Sequence, residues 1–167
     1  MKTLAWKWPL LLAAATCTVA AHGQTTWQES EVPLPGPVQR GQLIPFDMST
    51  RTELQFSVDA SSISVGSDRV LRYVLVARSN SGAENILYEG LRCETGEARN
   101  YARWNQSEQR WVPYSGSTPW RPLSGVAASL PAARLAYLAF CEGRTPTEPM
   151  ARLLADLRRG GKNANLR

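Results

Sequence analysis

The amino-acid sequence predicts an α+β domain, an antiparallel β-meander with two C-terminal helices packed on it. Two observations support this prediction. Between residues 53 and 114, apolar and polar side chains alternate in short runs separated by turn residues, which is typical of half-buried strands. Between residues 130 and 157, the apolar side chains instead recur every three or four positions, which is the period of an amphipathic helix. The strands therefore come first and the helices last.

Five segments have the pattern of a strand. They are Glu53–Asp59, Arg69–Ser79, Asn85–Cys93, Ala98–Trp104 and Arg110–Tyr114. The polar loop "SNSGAE" predicts a hairpin between the second and third strands, and "SVGSD" predicts the turn before the second. Alternation places one set of side chains toward the core, namely Leu54, Phe56, Val58, Leu71, Tyr73, Leu75, Ala77, Leu87, Leu91 and Cys93.

Two helices are predicted after the strands. The first, "LPAARLAYLAFCEG", has a proline suited to its first turn and ends at Gly143. Its expected buried face contains Leu130, Arg134, Tyr137, Leu138 and Cys141. The second helix has Thr147 as the expected cap, Pro149 in its first turn and Gly160 at its end. Its apolar stripe consists of Met150, Leu153, Leu154 and Leu157.

The chain divides into four parts: a signal peptide (1–23), a proline-rich extended arm (24–50), one α+β domain (51–159) and a disordered basic tail (160–167). The leader has Lys2 and Lys7, an apolar run of about 14 residues that is too short to span a bilayer, and small residues at a cleavage site. We expect a mature chain that begins at His22 or Gln24. A retained membrane anchor and a lipid-modified Cys17 are the alternatives. No later segment is long and apolar enough to span a membrane.

Cys93 and Cys141 are the two cysteines that remain after cleavage. Disulfides form and persist in the oxidising compartment that an exported protein enters. Two cysteines permit one intramolecular pairing, so we predict a bridge between Cys93 and Cys141. The bridge gives Cys93, in the stretch "YEGLRCETGE", a structural role.

The residue composition argues against several classes of enzyme. His22 is the only histidine and lies at or before the cleavage site, so the domain has no cysteine–histidine pair, no Ser-His-Asp triad and no multi-histidine metal site. Lys162, the only lysine after the leader, lies in the tail, which argues against a serine–lysine pair. Acidic residues are scattered. We therefore expect no catalytic residues, no metal site and no cofactor.

The net charge of +5 is concentrated at the two ends of the chain. Without the leader and the tail from Arg158 onward, thirteen basic residues face fourteen acidic ones. A basic tail can contact nucleic acid or anionic lipid, but a solvated end is the favoured interpretation. We expect no nucleic-acid partner.

Aromatic and basic residues concentrate between residues 99 and 121. The candidate binding surface in this segment consists of Tyr101, Arg103, Trp104, Arg110, Trp111 and Trp120. Such residues can form a stacking platform for sugars or nucleic acid. The favoured alternative is that the tryptophans pack at the rim of the core, with at least one of Trp104 and Trp111 buried.

Residues 56–102 also carry a family pattern. Its parts are "VGSDRVLRYVLVARS", "SGAENILYEGLRC" and "YA" before a tryptophan-containing segment. This spacing resembles the uncharacterised CNP-one-like family of exported proteobacterial proteins over about residues 27–145. The resemblance implies one exported domain of unknown role, and it supplies no catalytic residues. It also leads us to expect a glycine after Asp68, where this chain has Arg69, so the resemblance leaves a tight glycine turn unsupported here.

These observations predict a periplasmic, non-catalytic domain that binds a protein or another envelope component. The alternative is a carbohydrate- or peptidoglycan-binding module that uses the tryptophan and arginine cluster. An enzyme that depends on acidic residues ranks third.

Overall fold

A computed structural model describes residues 26–48, 51–116, 118–127 and 130–162. The strands are β1 (Leu43–Phe46), β2 (Gln55–Val65), β3 (Leu71–Arg78), β4 (Glu84–Arg92), β5 (Glu97–Asn105), β6 (Arg110–Pro113), β7 (Arg121–Pro122), β8 (Cys141–Glu142) and β9 (Thr145–Pro146). The helices are α1 (Leu130–Leu135), which continues as a π-helical turn (Ala136–Phe140), and α2 (Met150–Arg158). The predicted signal peptide, its cleavage site, Cys17 and tail residues 163–167 lie outside the described residues.

The strands form an antiparallel meander in the order β1-β2-β3-β4-β5-β6, and β7 pairs with the start of β5. A separate two-stranded hairpin joins β8 and β9. The two C-terminal helices pack on one face of the sheet, called here the inner face. The predicted α+β meander with two C-terminal helices is thus confirmed.

Strand β3 shows why the sheet needs cover on both faces. Leu71, Tyr73 and Leu75 lie in the core between the sheet and the helices. Val74 and Val76, on the opposite side of the same strand, belong to a second cluster on the outer face. A strand that is buried on both faces reads as a nearly continuous apolar run, which is the pattern that "RVLRYVLV" has.

The proline-rich arm covers the outer face. Residues 26–39 contain no helix or strand, and a short 3-10 turn (Arg40–Gln42) then leads into β1 at the edge of the sheet. Val32 and Val38 pack against the outer cluster, and the indole Nε1 of Trp111 donates a hydrogen bond of 3.1 Å to the Gly36 carbonyl oxygen. The arm therefore supplies the second layer that β3 requires.

Strand β2 is displaced from its predicted position. Leu54 was expected in the core but lies outside the strand and is exposed. The strand continues six residues past Asp59, because an irregularity between Asp59 and Ser64 interrupts the pairing with β3 without ending it. The Asp59 carboxylate accepts hydrogen bonds from the backbone N–H groups of Gln39 and Ser61, which satisfies donors at the irregularity.

The predicted buried face of α1 is confirmed at Leu138, which is buried, but is wrong at its exposed positions. Leu130 is exposed and Tyr137 is 65% exposed, whereas Ala132, Leu135 and Phe140 are buried. Alanine and leucine occupy nearly every side of this helix, so the apolar period does not single out one face. The π-helical turn then changes the angular step between residues.

Helix α2 confirms its predicted stripe but not its predicted cap. Leu153 and Leu157 are buried in the core, with Met150 and Leu154 packed against it. Thr147 does not cap the helix: it is fully buried, and its backbone N–H donates to the Phe140 carbonyl oxygen at 2.8 Å. Pro149 fixes the start of the helix instead.

The turn between β2 and β3 is tight although its third residue after Gly66 is an arginine. Arg69 has a φ of 61°, in the left-handed region that favours glycine. Its N–H donates to the Gly66 carbonyl oxygen at 2.9 Å, and the Gly66 N–H donates to the Val70 carbonyl oxygen at 3.0 Å. The absence of glycine therefore leaves the turn intact and puts Arg69 in a disfavoured conformation.

Candidate functional site

Glu29 fastens the arm to the sheet through charged contacts. Its carboxylate accepts hydrogen bonds from Arg99 Nη1 at 2.6 Å and from the Tyr101 hydroxyl at 2.5 Å. Arg72 Nη2 lies 3.6 Å from the same carboxylate. Burial, and then the hydrogen bond to Glu29, raise the pKa of Tyr101. The hydroxyl therefore stays protonated and keeps donating to Glu29.

Asp68 forms a second fastening point beside Glu29. Its carboxylate accepts hydrogen bonds from Arg72 Nη2 at 2.6 Å, Arg72 Nη1 at 3.1 Å, the Ser30 backbone N–H at 2.9 Å and the Val70 N–H at 3.1 Å. Burial alone would raise the pKa of Asp68, but these hydrogen bonds outweigh it and lower the pKa to about 2. Asp68 is thus a charged group whose charge Arg72 compensates.

Two tryptophans and an arginine stack at the surface near this network. The Arg92 guanidinium lies 3.6 Å from the ring centroid of Trp27 and 5.6 Å from that of Trp120. The two indole rings meet edge to face, with centroids 6.1 Å apart. Trp27 is 37% exposed, and its Nε1 donates to the Asp68 carbonyl oxygen at 3.1 Å. This group is the tryptophan–arginine stack.

An open cleft of about 270 Å3 adjoins the stack. Three arginine side chains line it, those of Arg69, Arg92 and Arg144, and it is called here the arginine cleft. Asp68, Glu94, Thr145 and Pro146 complete the lining. The two walls come from the turn before β3 and the end of β4 on one side, and from the β8–β9 hairpin on the other.

A disulfide joins the two walls of the arginine cleft. Cys93 and Cys141 are bonded, with their Cα atoms 5.6 Å apart, so the predicted bridge is confirmed. Cys93 lies between Arg92 and Glu94, while Cys141 begins the hairpin that carries Arg144. The predicted position of Cys141 on the inner face of α1 is wrong, because the helix ends at Phe140.

The predicted aromatic surface does not form one patch. Trp104 and Trp111 pair across β5 and β6, with ring centroids 5.3 Å apart, and Tyr101 packs against the same outer cluster. Trp111 is only 7% exposed, so the expectation that at least one of these two tryptophans is buried is confirmed. Trp120 lies in the tryptophan–arginine stack instead.

The two arginines of the predicted surface lie on the other side of the sheet. Arg103 pairs with Val112, and Arg110 pairs with Asn105. Neighbouring residues on a strand point to opposite faces, so both arginines face away from Trp104 and Trp111. Arg110 forms an exposed ion pair with Glu108. Of the six residues predicted to form the binding surface, only Trp120 belongs to the tryptophan–arginine stack.

The family model of the CNP1-like family matches residues 22–158, which is most of the chain. The chain belongs to the CNP1-like family. Cryptic neisserial protein 1 from Neisseria gonorrhoeae (strain ATCC 700825 / FA 1090) is 27% identical to this CNP1-like chain over 118 residues. That match covers 64% of the chain and 58% of the relative. No solved structure matches the chain.

The described part of this CNP1-like chain contains no group of three or more histidine, cysteine, aspartate or glutamate side chains placed to hold a metal ion. Within the same residues, no helix is both long and apolar enough to cross a membrane.

Sequence reasoning missed a buried acid in the CNP1-like core. Glu89 is 4% exposed on the inner face, and its Oε2 accepts a hydrogen bond of 2.8 Å from the Tyr73 hydroxyl. Burial raises its pKa to about 7, although the Tyr73 hydrogen bond and the positive charge of Arg121 act in the opposite direction. The signal was present, because Glu89 has the same parity as Leu87 and Leu91, which alternation turns inward.

Proposed function

We propose that this chain is exported across the inner membrane and acts in the periplasm as a non-catalytic binding domain for a protein or another envelope component. The order of charged, apolar and small residues in the leader supports export. The Cys93–Cys141 bridge is compatible with an oxidising compartment.

The tryptophan–arginine stack carries the binding part of the proposal. It places the partly exposed indole of Trp27 against Arg92, whose side chain lines an open, charged cleft. Aromatic rings and arginine are the residue types that contribute most to binding energy in protein interfaces. The stack also joins three separate segments, since Trp27, Arg92 and Trp120 lie far apart in the sequence.

A carbohydrate or a peptidoglycan fragment is the second candidate ligand. A tryptophan ring offers an apolar face for the C–H face of a sugar, and a neighbouring guanidinium can donate hydrogen bonds to its oxygens. The tryptophan–arginine stack is a better sugar-binding site than the Trp104–Trp111 pair, because Trp111 is buried beneath the arm.

Export is tested by fractionating cells and sequencing the N-terminus of the periplasmic product. We expect a mature chain that begins at His22 or Gln24. An uncleaved chain, or one that begins at a lipid-modified Cys17, would contradict this part of the proposal.

Binding is tested by placing a photo-crosslinking amino acid at position 27 or 120 in cells and comparing the products with those from position 137. Tyr137 is the matched control, because it is an exposed aromatic residue with an arginine, Arg134, 5.7 Å from its ring. We expect a discrete product from the stack positions only. Soluble peptidoglycan fragments, titrated against Trp27→Ala, Trp120→Ala and Tyr137→Ala, separate the sugar candidate from a protein partner. Equal products from all three positions would refute a binding role for the stack, and a chemically altered ligand would refute the non-catalytic part.

A further inference from the structure

The arginine cleft carries more positive charge than its surroundings compensate. Asp68 contributes no free charge, because its carboxylate is already bound by both terminal nitrogens of Arg72. Arg92 forms an ion pair with Glu97, with Arg92 Nη1 3.6 Å from Glu97 Oε2. Arg69 and Arg144 make no ion pair with any residue that the structure describes. Glu94 is the one remaining acid in the lining, so the cleft stays net positive even with Arg92 paired to Glu97.

The backbone of Arg69 points to a role for its side chain. A φ of 61° is disfavoured for every residue except glycine, and asparagine and aspartate tolerate it best of the others. Glycine would form the same turn without that cost. Strained residues of this kind concentrate at sites that bind ligands, where the surrounding structure maintains the strain. Here the strained residue is one of the three arginines that line the cleft.

Two neighbouring features constrain the side chain of Arg92 and the backbone that carries Arg144. The ring of Trp27 lies against the Arg92 guanidinium, which restricts its orientation. The disulfide ties the hairpin that carries Arg144 to the end of β4. A guanidinium whose position is fixed before binding loses less entropy when it engages a ligand.

We propose that the arginine cleft binds a compact oxyanion, the carboxylate or phosphate group of a ligand, through Arg69, Arg92 and Arg144. Guanidinium groups match both oxyanions with paired, charge-assisted hydrogen bonds. The proposal deepens the proposed function, on which it rests, by naming the charged group that the binding domain recognises. The remainder of the ligand lies toward Trp27, whose ring contacts Arg92.

Calorimetric titration of the processed chain, with its disulfide intact and at constant ionic strength, tests this proposal with inorganic phosphate, glucuronate and glucose. We expect phosphate, glucuronate or both to bind, and glucose to bind at least about ten-fold more weakly, a difference that one charge-assisted hydrogen bond accounts for. If only phosphate binds, the natural ligand carries a phosphate group. If only glucuronate binds, the natural ligand is an acidic sugar. Failure of both anions to bind, or glucose that binds as well as they do, overturns the proposal.

Arg69→Gly and Arg144→Ala test the residues. Both should weaken anion binding by at least about ten-fold. Arg69→Gly should at the same time raise the melting temperature of the free protein, because glycine relieves the backbone. Gln109→Gly is the matched control: Gln109 also has a positive φ, 49°, but lies in the β5–β6 turn away from the cleft. It should raise the melting temperature and leave anion affinity unchanged.

An Arg69→Gly protein that binds the anion as tightly as the unchanged chain overturns the proposal, since its fold is not at risk. Crosslinking at position 27 that persists in Arg69→Gly and Arg144→Ala also counts against the cleft, while the proposed function stands. If neither position 27 nor position 120 gives a crosslinked product in the otherwise unchanged chain, while the anion still binds, the proposed function is refuted. The anion site in the arginine cleft then stands.

Discussion

The buried carboxyl group of Glu89 should make this protein less stable as the pH rises from about 4.5 to about 7. Glu89 lies in the core between the sheet and the helices, where Tyr73 donates a hydrogen bond to it and the positive charge of Arg121 acts on it. Burial raises the pKa of Glu89 from an ordinary value of 4.5 to about 7. The folded chain therefore holds its proton more tightly than the unfolded chain does.

The sign and the size of the effect follow from that difference in pKa. Below pH 4.5 both states are protonated, and the stability linked to this proton is fully present. Between pH 4.5 and about 7 only the unfolded chain releases the proton, so the free energy of unfolding falls. At about 1.4 kcal/mol for each unit of pKa difference, the total loss is about 3 kcal/mol. Above pH 7 this contribution no longer changes.

Urea unfolding, followed by tryptophan fluorescence at several pH values between 4 and 8, measures this loss. Glu89→Gln keeps the shape and cannot ionise, so its free energy of unfolding should stay nearly level across the window. Glu31→Gln, at an exposed position, is the control and should follow the unchanged chain. The stability that depends on Asp68 is lost only as the pH falls from 3.8 toward 2, below the window. Parallel curves for Glu89→Gln and the unchanged chain would refute this reasoning.

Three further perturbations test the disulfide, the arm and the sheet. Replacing Cys93 and Cys141 with serine should lower the free energy of unfolding by about 4 kcal/mol, because the bridge spans 48 positions and constrains the unfolded chain. Glu29→Ala should cost roughly 2 kcal/mol and speed proteolysis within the arm, because a part-buried carboxylate that accepts two charge-assisted bonds is removed. Gly90→Ala should cost about 1–3 kcal/mol, because the new methyl group would clash with the hydroxyl group and ring of Tyr101.

Each of these perturbations has its own control. Reduction of the unchanged chain should add about two daltons to its intact mass, and two freely alkylated thiols in the native protein would contradict the bridge. Glu31→Ala should leave proteolysis of the arm unchanged, and equal rates for the Glu31 and Glu29 variants would disprove the fastening role of Glu29. Gly41→Ala adds a methyl group that meets nothing within 4 Å, so it should unfold like the unchanged chain. If Gly90→Ala also unfolds like the unchanged chain, the Tyr101 ring moves aside without cost.

Local patterns were sufficient to predict most of the secondary structure. Alternation found β3, β4 and β5, because side chains on successive strand residues point to opposite faces whatever the rest of the chain does. The second helix was found with its stripe, since its charged residues leave a single apolar side. The disulfide prediction followed from counting, because only Cys93 and Cys141 lie beyond the predicted leader.

Patterns failed where two faces of an element looked alike. In α1 the residues around Leu135 and those around Tyr137 are both apolar, so the burial of one side depends on how the helix lies against the sheet. Thr147 has the residue type of a cap, yet the space between Phe140 and α2 buries it instead. Local preference is worth about 1 kcal/mol, and packing of a core overrides it.

The candidate site could not be read from the sequence because its parts are distant along the chain. Proximity in sequence grouped Arg103 with Trp104, although adjacent strand residues must point apart. Trp27, Arg92 and Trp120 meet only because the arm crosses the outer face and β7 returns to β5. The sequence by itself determined the order of strands and helices and the pair of cysteines. The tertiary structure alone decided which arginines share a cleft, because the burial of the arm and the bridge between hairpin and sheet bring remote segments together.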